Sequence, residues 1–249
     1  MKRLRLAQCW SWRRPSWPPR SGSPHCKTKR DVIPVYGRVA GRRRNHGDVR
    51  DEMQIRMKKV KNMGASEKQP DGPPAVIRWG VFRFGPWRLC LAATERGLAH
   101  ADRVADGQTD EDAAQTLKQW AKRRAAGAEL VRDESALGDY RAQYDEYFKG
   151  KRKRFTFPLD LCGTPFQRDV WEALTAIPYG ETVAYADIAA RIGKPAAVRA
   201  CGGAIGQNPV LIAVPCHRVI GKNGALTGFS SGLDMKAWLL EHEAGRAVV

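Results

Sequence analysis

A short apolar run that ends at a proline positions the most reactive side chain of this sequence. Residues 210–214 (Val-Leu-Ile-Ala-Val) are all apolar, which predicts a buried strand, and Pro215 ends it. Cys216 and His217 follow immediately. A base or positive charge beside a thiol lowers the thiol pKa towards neutrality, so this pair has the parts of a thiolate nucleophile. A buried, inert cysteine beside a surface histidine is the alternative interpretation.

The positive charge of the chain is concentrated at its N-terminal end. The formal net charge is +17 over 249 residues, of which residues 1–74 carry +13 and residues 75–249 carry +4. A basic protein of this kind favours a polyanionic partner, and a domain that grips a short duplex needs only a local basic face. No apolar run approaches the length of a membrane span, so the sequence predicts no membrane association.

Residues 1–74 have the composition of a disordered basic tail. Trp, Arg and Pro residues mix there without apolar periodicity, and the first 30 residues contain no Asp or Glu. Three explanations stay open: a misplaced, non-native start, an arm that binds DNA, or an organellar targeting peptide. Met53, Met57 and Met63 each offer a later start.

The six cysteines indicate a reduced, intracellular protein. None forms a C-x-x-C pair, and no Cys/His cluster has the spacing of zinc ligands, so we predict no metal. The apolar content is sufficient for a core without disulfides.

Residues 75–160 predict a small α/β domain. Three β-rich runs lie within residues 75–103, separated by Gly-Pro and Glu-Arg-Gly turns, which is typical of an antiparallel meander. Two helices are predicted at residues 109–124 and 138–148; the acidic first turn of the former suits the helix dipole.

Residues 161–249 predict a second, helical domain. Thr164 and Gln167 form a capping box at the start of a helix. A short helix then ends near Ile192 with Gly193 as its C-cap, and a second helix is predicted from Lys194 to about residue 206. Two short helices joined by a glycine turn are a helix-turn-helix pattern.

The rest of this region predicts a winged helix. Residues 221–224 (Gly-Lys-Asn-Gly) form the turn of the wing, and residues 233–243 form a closing helix with Leu233 facing inward. Glycines such as Gly203 inside the second helix cost about 1 kcal/mol each relative to alanine. Either close helix packing or a DNA backbone pressed against the helix explains them.

Several spaced motifs in this order resemble the C-terminal domain of the O6-methylguanine-DNA methyltransferases. The likeness is dense from residue 163 onward, weaker over about residues 75–162, and absent before that. The matching segments are residues 163–167 (GTPFQ), 177–185 (IPYGETVAY), 197–200 (AVRA), 208–210 (NPV), 215–219 (PCHRV) and 236–243 (KAWLLEHE).

The resemblance implies an α+β fold, with a ribonuclease-like N-terminal domain before a winged-helix alkyltransferase domain. It also implies repair of double-stranded DNA by transfer of an alkyl group from O6-alkylguanine, and from O4-alkylthymine, to the protein's own cysteine. A thioether product has no hydrolysable bond, so each molecule acts once. We expect a cytoplasmic monomer that needs no cofactor.

The resemblance also assigns roles to individual residues. Cys216 receives the alkyl group, and His217, linked through water to Glu243, takes the thiol proton. Tyr185 meets the rotated phosphate and supports charge on the guanine, while Arg199 fills the gap that a flipped nucleotide leaves. The remaining implied positions are Ala200 and Gly203 at the DNA, and Asn208, Pro215, Val219, Phe229 and Ser230 at the substrate pocket.

Two rival functions follow from other classes of protein. One is a winged-helix module that binds DNA without chemistry, and the presence of Cys216 argues against it. The other is a cysteine hydrolase, which needs an oxyanion hole and a groove for an acyl substrate. Alkylation of Cys216 by damaged DNA distinguishes the three.

Overall fold

A computed structural model of the chain describes residues 74–246, and the predictions for residues 1–73 lie outside the described residues. We call residues 74–161 the N-terminal half and residues 162–246 the C-terminal half. The strands are β1 (Val76–Phe84), β2 (Trp87–Thr94), β3 (Gly97–Val104), β4 (Glu129–Arg132), β5 (Val183–Ala184) and β6 (Val219–Ile220). The helices are α1 (Asp110–Arg124), α2 (Gly138–Phe148), α3 (Pro165–Thr175), α4 (Tyr185–Arg191), α5 (Val198–Gly206) and α6 (Leu233–Glu243).

The N-terminal half is a four-stranded sheet in the order β3-β2-β1-β4. β1, β2 and β3 form the predicted antiparallel meander, whereas β4 pairs in parallel with β1 and was not predicted. β4 has only four residues and is half exposed, so it carries no run of apolar residues for sequence reasoning to detect. Both predicted helices of this half are confirmed, and Thr109 caps α1 in a capping box.

The two faces of the sheet have different partners. Cys90 and Ala92 of β2 point to the face that α1 covers, where Leu117 is fully buried. Leu89 and Leu91 point to the other face, whose core is continuous with that of the C-terminal half. This alternation explains why β2 is buried on both sides, and it makes the sheet a platform for the second half of the chain.

The C-terminal half contains the predicted helix-turn-helix. The capping box of Thr164 and Gln167 is present at α3, and Gly193 adopts the positive φ of +73° that follows the end of α4. α5 begins at Val198 instead of Lys194, so that prediction was four residues too early. The residues between form a turn, in which the amide of Ala197 donates to the carbonyl of Lys194.

The predicted strand at residues 210–214 is wrong. Residues 210 and 211 pair with Ala101 of β3, but the chain then reverses, and the amide of Val214 donates to the carbonyl of Val210. Ile212 has a φ of +73°, a conformation that costs a β-branched residue on the order of 1–3 kcal/mol. The run is buried as predicted, but as a strained turn held against the sheet.

The elements after this turn close the fold. Residues 221–224 form the predicted turn, with the amide of Gly224 donating to the carbonyl of Gly221. α6 has the predicted bounds, but Leu233 at its start is exposed, contrary to the prediction that it faces inward. Among residues 74–246, no helix is long and apolar enough to span a bilayer.

Candidate active site

Cys216 lies at the start of a single 3₁₀ turn, Cys216–Arg218, directly after the strained turn. Asn208 bridges the two turns, because its amide nitrogen donates to the Cys216 Sγ at 3.0 Å and to the Val214 carbonyl at 2.7 Å. Its amide oxygen accepts from the Val210 amide at 3.0 Å. One side chain therefore fixes the thiol relative to the end of α5.

The environment of the thiol raises its pKa instead of lowering it. Burial raises the pKa of Cys216 to about 11, against the smaller opposing effects of the Asn208 hydrogen bond and the Lys236 charge. The expectation of a thiol pKa near neutrality was therefore wrong for this resting structure. Since the thiol is protonated at neutral pH, nucleophilic attack requires a base that removes its proton.

His217 is a buried neutral base. Its Nε2 lies 2.8 Å from Oε1 of Glu243, so the contact is direct and the predicted water link between the two is wrong. Burial lowers the imidazole pKa, with Glu243 opposing. Because an ionised carboxylate only accepts hydrogen bonds, Nε2 carries the proton and Nδ1 is the basic nitrogen. Nδ1 is buried and makes no hydrogen bond to the described protein atoms.

Glu243 is held by more partners than the sequence indicated. Arg218 donates to Oε2 from Nε and to Oε1 from Nη2, both at 2.9 Å, and the amide of Gly180 donates to Oε2 at 3.0 Å. The hydroxyl of Tyr147 donates to Oε1 at 2.6 Å. Burial raises the pKa of this carboxyl, but the hydrogen bonds from His217 and Arg218 and the positive charge of Arg218 outweigh burial and hold the pKa well below its usual range.

Sequence reasoning missed three buried residues of this cluster. Arg218 directly follows the predicted pair Cys216 and His217, and this position in the sequence could have marked it as a candidate site residue. Lys236 sits on the apolar side of a predicted helix, which was another. Tyr147 is 96 positions from its partner Glu243, and nothing local in the sequence connects them.

Lys236 closes the cluster on the side of α6. Its Nζ donates to the carbonyls of Val219 at 2.6 Å and Thr227 at 2.8 Å and lies 6.0 Å from the centre of the Phe229 ring. Burial lowers its pKa to about 8, with Cys216 opposing. The Lys236 side chain therefore links β6, which follows the cysteine turn, to the loop at Thr227.

The loop at residues 227–231 forms a wall of the predicted pocket. The Tyr185 hydroxyl donates to the Thr227 carbonyl at 2.9 Å, while Phe229 is half-buried and Ser230 is exposed. Pro215 and Val219 are buried behind the cysteine.

The N-terminal half anchors this loop through Ser231. The Ser231 hydroxyl donates to Asp102 at 3.0 Å, and Arg103 donates to the Ser231 carbonyl at 3.0 Å and to Asp234 at 2.8 Å. Two neighbouring residues at the end of β3 therefore hold both the loop and the start of α6.

The outer face of α5 is open. Arg199, Ala200 and Gly203 are all exposed, and a Cβ added at Gly203 would meet no atom of residues 74–246 within 4 Å outside its own helix backbone. At Gly202 it would meet only the Tyr185 ring, at an ordinary contact distance of 3.8 Å. Close packing among the described residues therefore does not explain these glycines.

The predicted residues thus fall into two groups. The structure brings the buried residues Cys216, His217 and Glu243 and the half-buried Asn208 together, with the Tyr185 hydroxyl bonded to the loop at Thr227. Arg199 lies apart, on the exposed face of α5.

Two family models match the described halves of the chain. The model described as 6-O-methylguanine DNA methyltransferase, DNA binding domain, matches residues 165–245. The model described as 6-O-methylguanine DNA methyltransferase, ribonuclease-like domain, matches residues 77–161.

Relatives and solved structures agree with these matches. The inducible methylated-DNA–protein-cysteine methyltransferase of Bacillus subtilis is 48% identical over 168 residues, which cover 68% of this chain and 90% of the relative. The methylated-DNA–protein-cysteine methyltransferase of Methanosarcina barkeri is 42% identical, covering 64% and 91%. The crystal structure of Mycobacterium tuberculosis O6-methylguanine methyltransferase superposes with a TM-score of 0.57 at 36% identity, covering 70% and 96%. That of Mycobacterium tuberculosis OGT in complex with DNA gives 0.55 at 38% identity, covering 69% and 94%.

Proposed function

Because the chain belongs to the 6-O-methylguanine DNA methyltransferase family, we propose that it repairs DNA by taking alkyl groups onto Cys216. The substrates are O6-alkylguanine and O4-alkylthymine in double-stranded DNA. The reaction is stoichiometric, because the thioether that forms has no bond that water can hydrolyse, and each molecule is consumed by one transfer. The activity is that of a methylated-DNA–protein-cysteine S-methyltransferase.

The observation that carries this proposal is the polar network that surrounds Cys216 and its sequence neighbour His217. Asn208 holds the Cys216 sulfur at 3.0 Å, and the adjacent His217 has its Nε2 tied to Glu243, so that Nδ1 is the basic nitrogen. Such a nucleophile–base–orienter set fits a sulfur that is activated only when its substrate arrives.

The chemical step follows from these groups. The S–C bond forms as the C–O6 bond breaks, and the bonding electrons of that bond pass to the guanine oxygen. The thiol proton passes to Nδ1 of His217, and Glu243 stabilises the imidazolium that results. Both reacting groups come from the protein and the lesion, so the step uses no cofactor and no metal.

The departing guanine requires help as charge builds on its oxygen. Tyr185 is the first residue of α4, and its hydroxyl donates to the Thr227 carbonyl at 2.9 Å in this structure. We assign it the role of supporting the guanine ring, in which the hydroxyl exchanges this bond for one to the base. Asn208, Pro215, Val219, Phe229 and Ser230 form the surrounding pocket in this proposal.

The target carbon lies inside the base stack, so the nucleotide must be flipped out. In this proposal α5 lies against the DNA, Ala200 and Gly203 permit close approach of the backbone, and Arg199 fills the vacated position. The open space beside Gly203 supports this placement.

We further propose the organisation of the chain. A tail of residues 1–74 precedes a ribonuclease-like domain at 75–160 and a winged-helix alkyltransferase domain at 161–249. The protein works as a monomer, because one chain supplies every group of the site, and it works in the cytoplasm with access to chromosomal DNA, because its substrate is DNA.

A single-turnover assay tests the proposed function. A duplex oligonucleotide with one O6-methylguanine is mixed with increasing protein, and the remaining lesion is counted after each addition. The expected result is loss of one lesion per protein molecule. Repeated turnover by one molecule, or no loss of lesion at any ratio, would overturn the proposal.

A further inference from the structure

α2 belongs to the N-terminal half, yet two of its side chains extend into the C-terminal half. Tyr144 and Tyr147 are three positions apart on one face of the helix, and both are fully buried. The Tyr144 hydroxyl donates to the carbonyl of Leu211 at 2.6 Å, and the Tyr147 hydroxyl donates to Oε1 of Glu243 at 2.6 Å. The two hydrogen bonds have the same length and are both buried, but one holds the backbone at Leu211 and the other holds the carboxylate of Glu243.

The oxygen that Tyr147 contacts is the one that orients the base. Oε1 of Glu243 accepts from His217 at 2.8 Å and from Arg218 at 2.9 Å as well as from Tyr147. Of the hydrogen-bond partners described for Glu243, Tyr147 is the one that belongs to the N-terminal half. The ring of His242 packs against Tyr147 with centroids 5.4 Å apart, which holds the phenol in place.

We propose that Tyr147 is a positioning residue for alkyl transfer: its hydroxyl fixes Glu243 against His217 and moderates the basicity of the imidazole. The consequence for repair rests on the proposed function, whereas the effect on the pKa of His217 does not. It also gives the N-terminal half a specific part in the chemistry, at a distance from the DNA face.

The direction of the effect follows from the charges around Glu243. A hydrogen bond to the carboxylate takes up part of its negative charge, so less of that charge stabilises the imidazolium form of His217. Without the Tyr147 hydroxyl, more of the negative charge on Oε1 stabilises the imidazolium form of His217, so the pKa of His217 rises. The titratable and charged groups that face Glu243 or His217 are Tyr147 from α2, Tyr179 after α3, Arg218 beside His217 and Lys236 on α6, while His242 on α6 packs against Tyr147.

The test compares two variants of the full-length chain, Tyr147→Phe and Tyr144→Phe. Each loses one buried hydroxyl from the same helix face, so the loss of thermal stability should be similar. Transfer is measured in single turnover from pH 5 to 9, and the titration of His217 is followed by ¹⁵N NMR. We expect Tyr147→Phe to move the acid limb of the rate and the His217 titration upward together, by roughly half a pH unit or more. Tyr144→Phe should move neither.

A third variant keeps the proposal testable if Tyr147→Phe fails to fold. Replacing Tyr147 by 3-fluorotyrosine keeps the ring and makes the hydroxyl a stronger donor, so both quantities should move downward. The proposal is overturned if the His217 titration stays in place in Tyr147→Phe and in the fluorinated protein, or if Tyr144→Phe shifts it as much.

The two readouts separate this inference from the proposed function. If the unaltered protein transfers no alkyl group, the proposed function fails, whereas the NMR titration of His217 still decides the role of Tyr147. If the unaltered protein transfers and the titration does not respond to either change at Tyr147, only the positioning role fails.

Discussion

The two halves of the molecule differ in the kinds of residue that they bury. In the N-terminal half, the strands β1 to β3 pair regularly except for one register shift at Ala92 and Ala93, and residues such as Leu89 and Cys90 alternate between two apolar cores. In the C-terminal half, the candidate site is built on turns, and His217, Arg218 and Glu243 are buried together. Buried charges are costly to desolvate and stay ionised only when they are fully paired. The regular half therefore supplies a rigid support for an irregular half that holds reactive groups.

This division is visible where the halves meet. β3 pairs with the strained turn at Ile212, and Tyr144 of α2 donates to that turn at Leu211. A residue in a left-handed conformation persists only when its surroundings hold it there. The comparison thus predicts that changes to the buried polar residues of the C-terminal half affect alkyl transfer most, whereas changes on the exposed face of α5 have smaller effects that depend on the DNA.

The largest effect is expected for Cys216→Ala, which removes the sulfur while leaving the helix-turn-helix intact. Transfer should be abolished, and binding to a methylated duplex should stay within about twofold of the original. Single-turnover assays and fluorescence anisotropy measure the two quantities. Substantial transfer by this variant would sink the assignment of Cys216.

Glu243→Gln should combine a loss of chemistry with a loss of stability. Removing the charge leaves Arg218 buried without its partner, which costs about 3–5 kcal/mol of unfolding free energy, and it releases the His217 ring. Urea unfolding at neutral pH measures the first effect, and single-turnover transfer measures the second.

The same variant tests a pH dependence. Because the folded pKa of Glu243 is depressed, its contribution to stability is present above the unfolded carboxyl pKa of roughly 4.3. That contribution is lost as the pH falls through the depressed folded value. The unfolding free energy of the original protein should therefore decline below about pH 5 more steeply than that of Glu243→Gln. Equal slopes in acid would contradict an ionised, fully paired Glu243.

Arg199→Ala should have an intermediate effect that depends on the strand state of the DNA. Flipping a nucleotide costs a few kcal/mol, and a side chain that fills the gap offsets part of that cost, so repair in duplex should slow by roughly tenfold. Repair in a single strand should change by less than about twofold. Lys222→Ala removes the same charge from an exposed turn and should not distinguish the two substrates. If Arg199→Ala loses the same factor on both, Arg199 is a general phosphate or folding contact.

Gly203→Ala should produce the smallest effects, and in opposite directions. Alanine improves helix propensity by up to about 1 kcal/mol, and its Cβ has free space among the described residues, so the melting temperature should rise. If DNA approaches this face, duplex repair should fall several-fold. Gly138→Ala in α2, where an added Cβ also has free space, should raise stability without changing repair. Unchanged repair by Gly203→Ala would remove α5 from the DNA interface.

Regular elements and their caps could be predicted because their signals are local. The bounds of α2 and α6 and the capping box at Thr164 follow from residues within a few positions of one another. The start of α5 was placed too early, because Lys194 and Pro195 suit the first turn of a helix but form a separate turn here. The motif resemblance likewise named candidate site residues, among which Asn208 contacts Cys216 and His217 contacts Glu243.

The rest could not be predicted because it depends on long-range packing. Residues 210–214 have strand composition, but only two of them reach β3 before the chain turns at Ile212. The raised pKa of Cys216 comes from its burial in the fold, which no dipeptide reveals. The direct contact of His217 with Glu243, and the bond from Tyr147, join residues that are far apart in sequence.

The mass of the peptide that contains Cys216 tests the central claim most directly. The protein is incubated with a duplex that contains O6-methylguanine, digested, and analysed by tandem mass spectrometry. The account predicts that this peptide gains the mass of one methyl group in place of one hydrogen, with the modification on Cys216, in proportion to the lesion lost from the DNA. An unmodified Cys216 after the lesion has disappeared, or methylation at another cysteine, would contradict it.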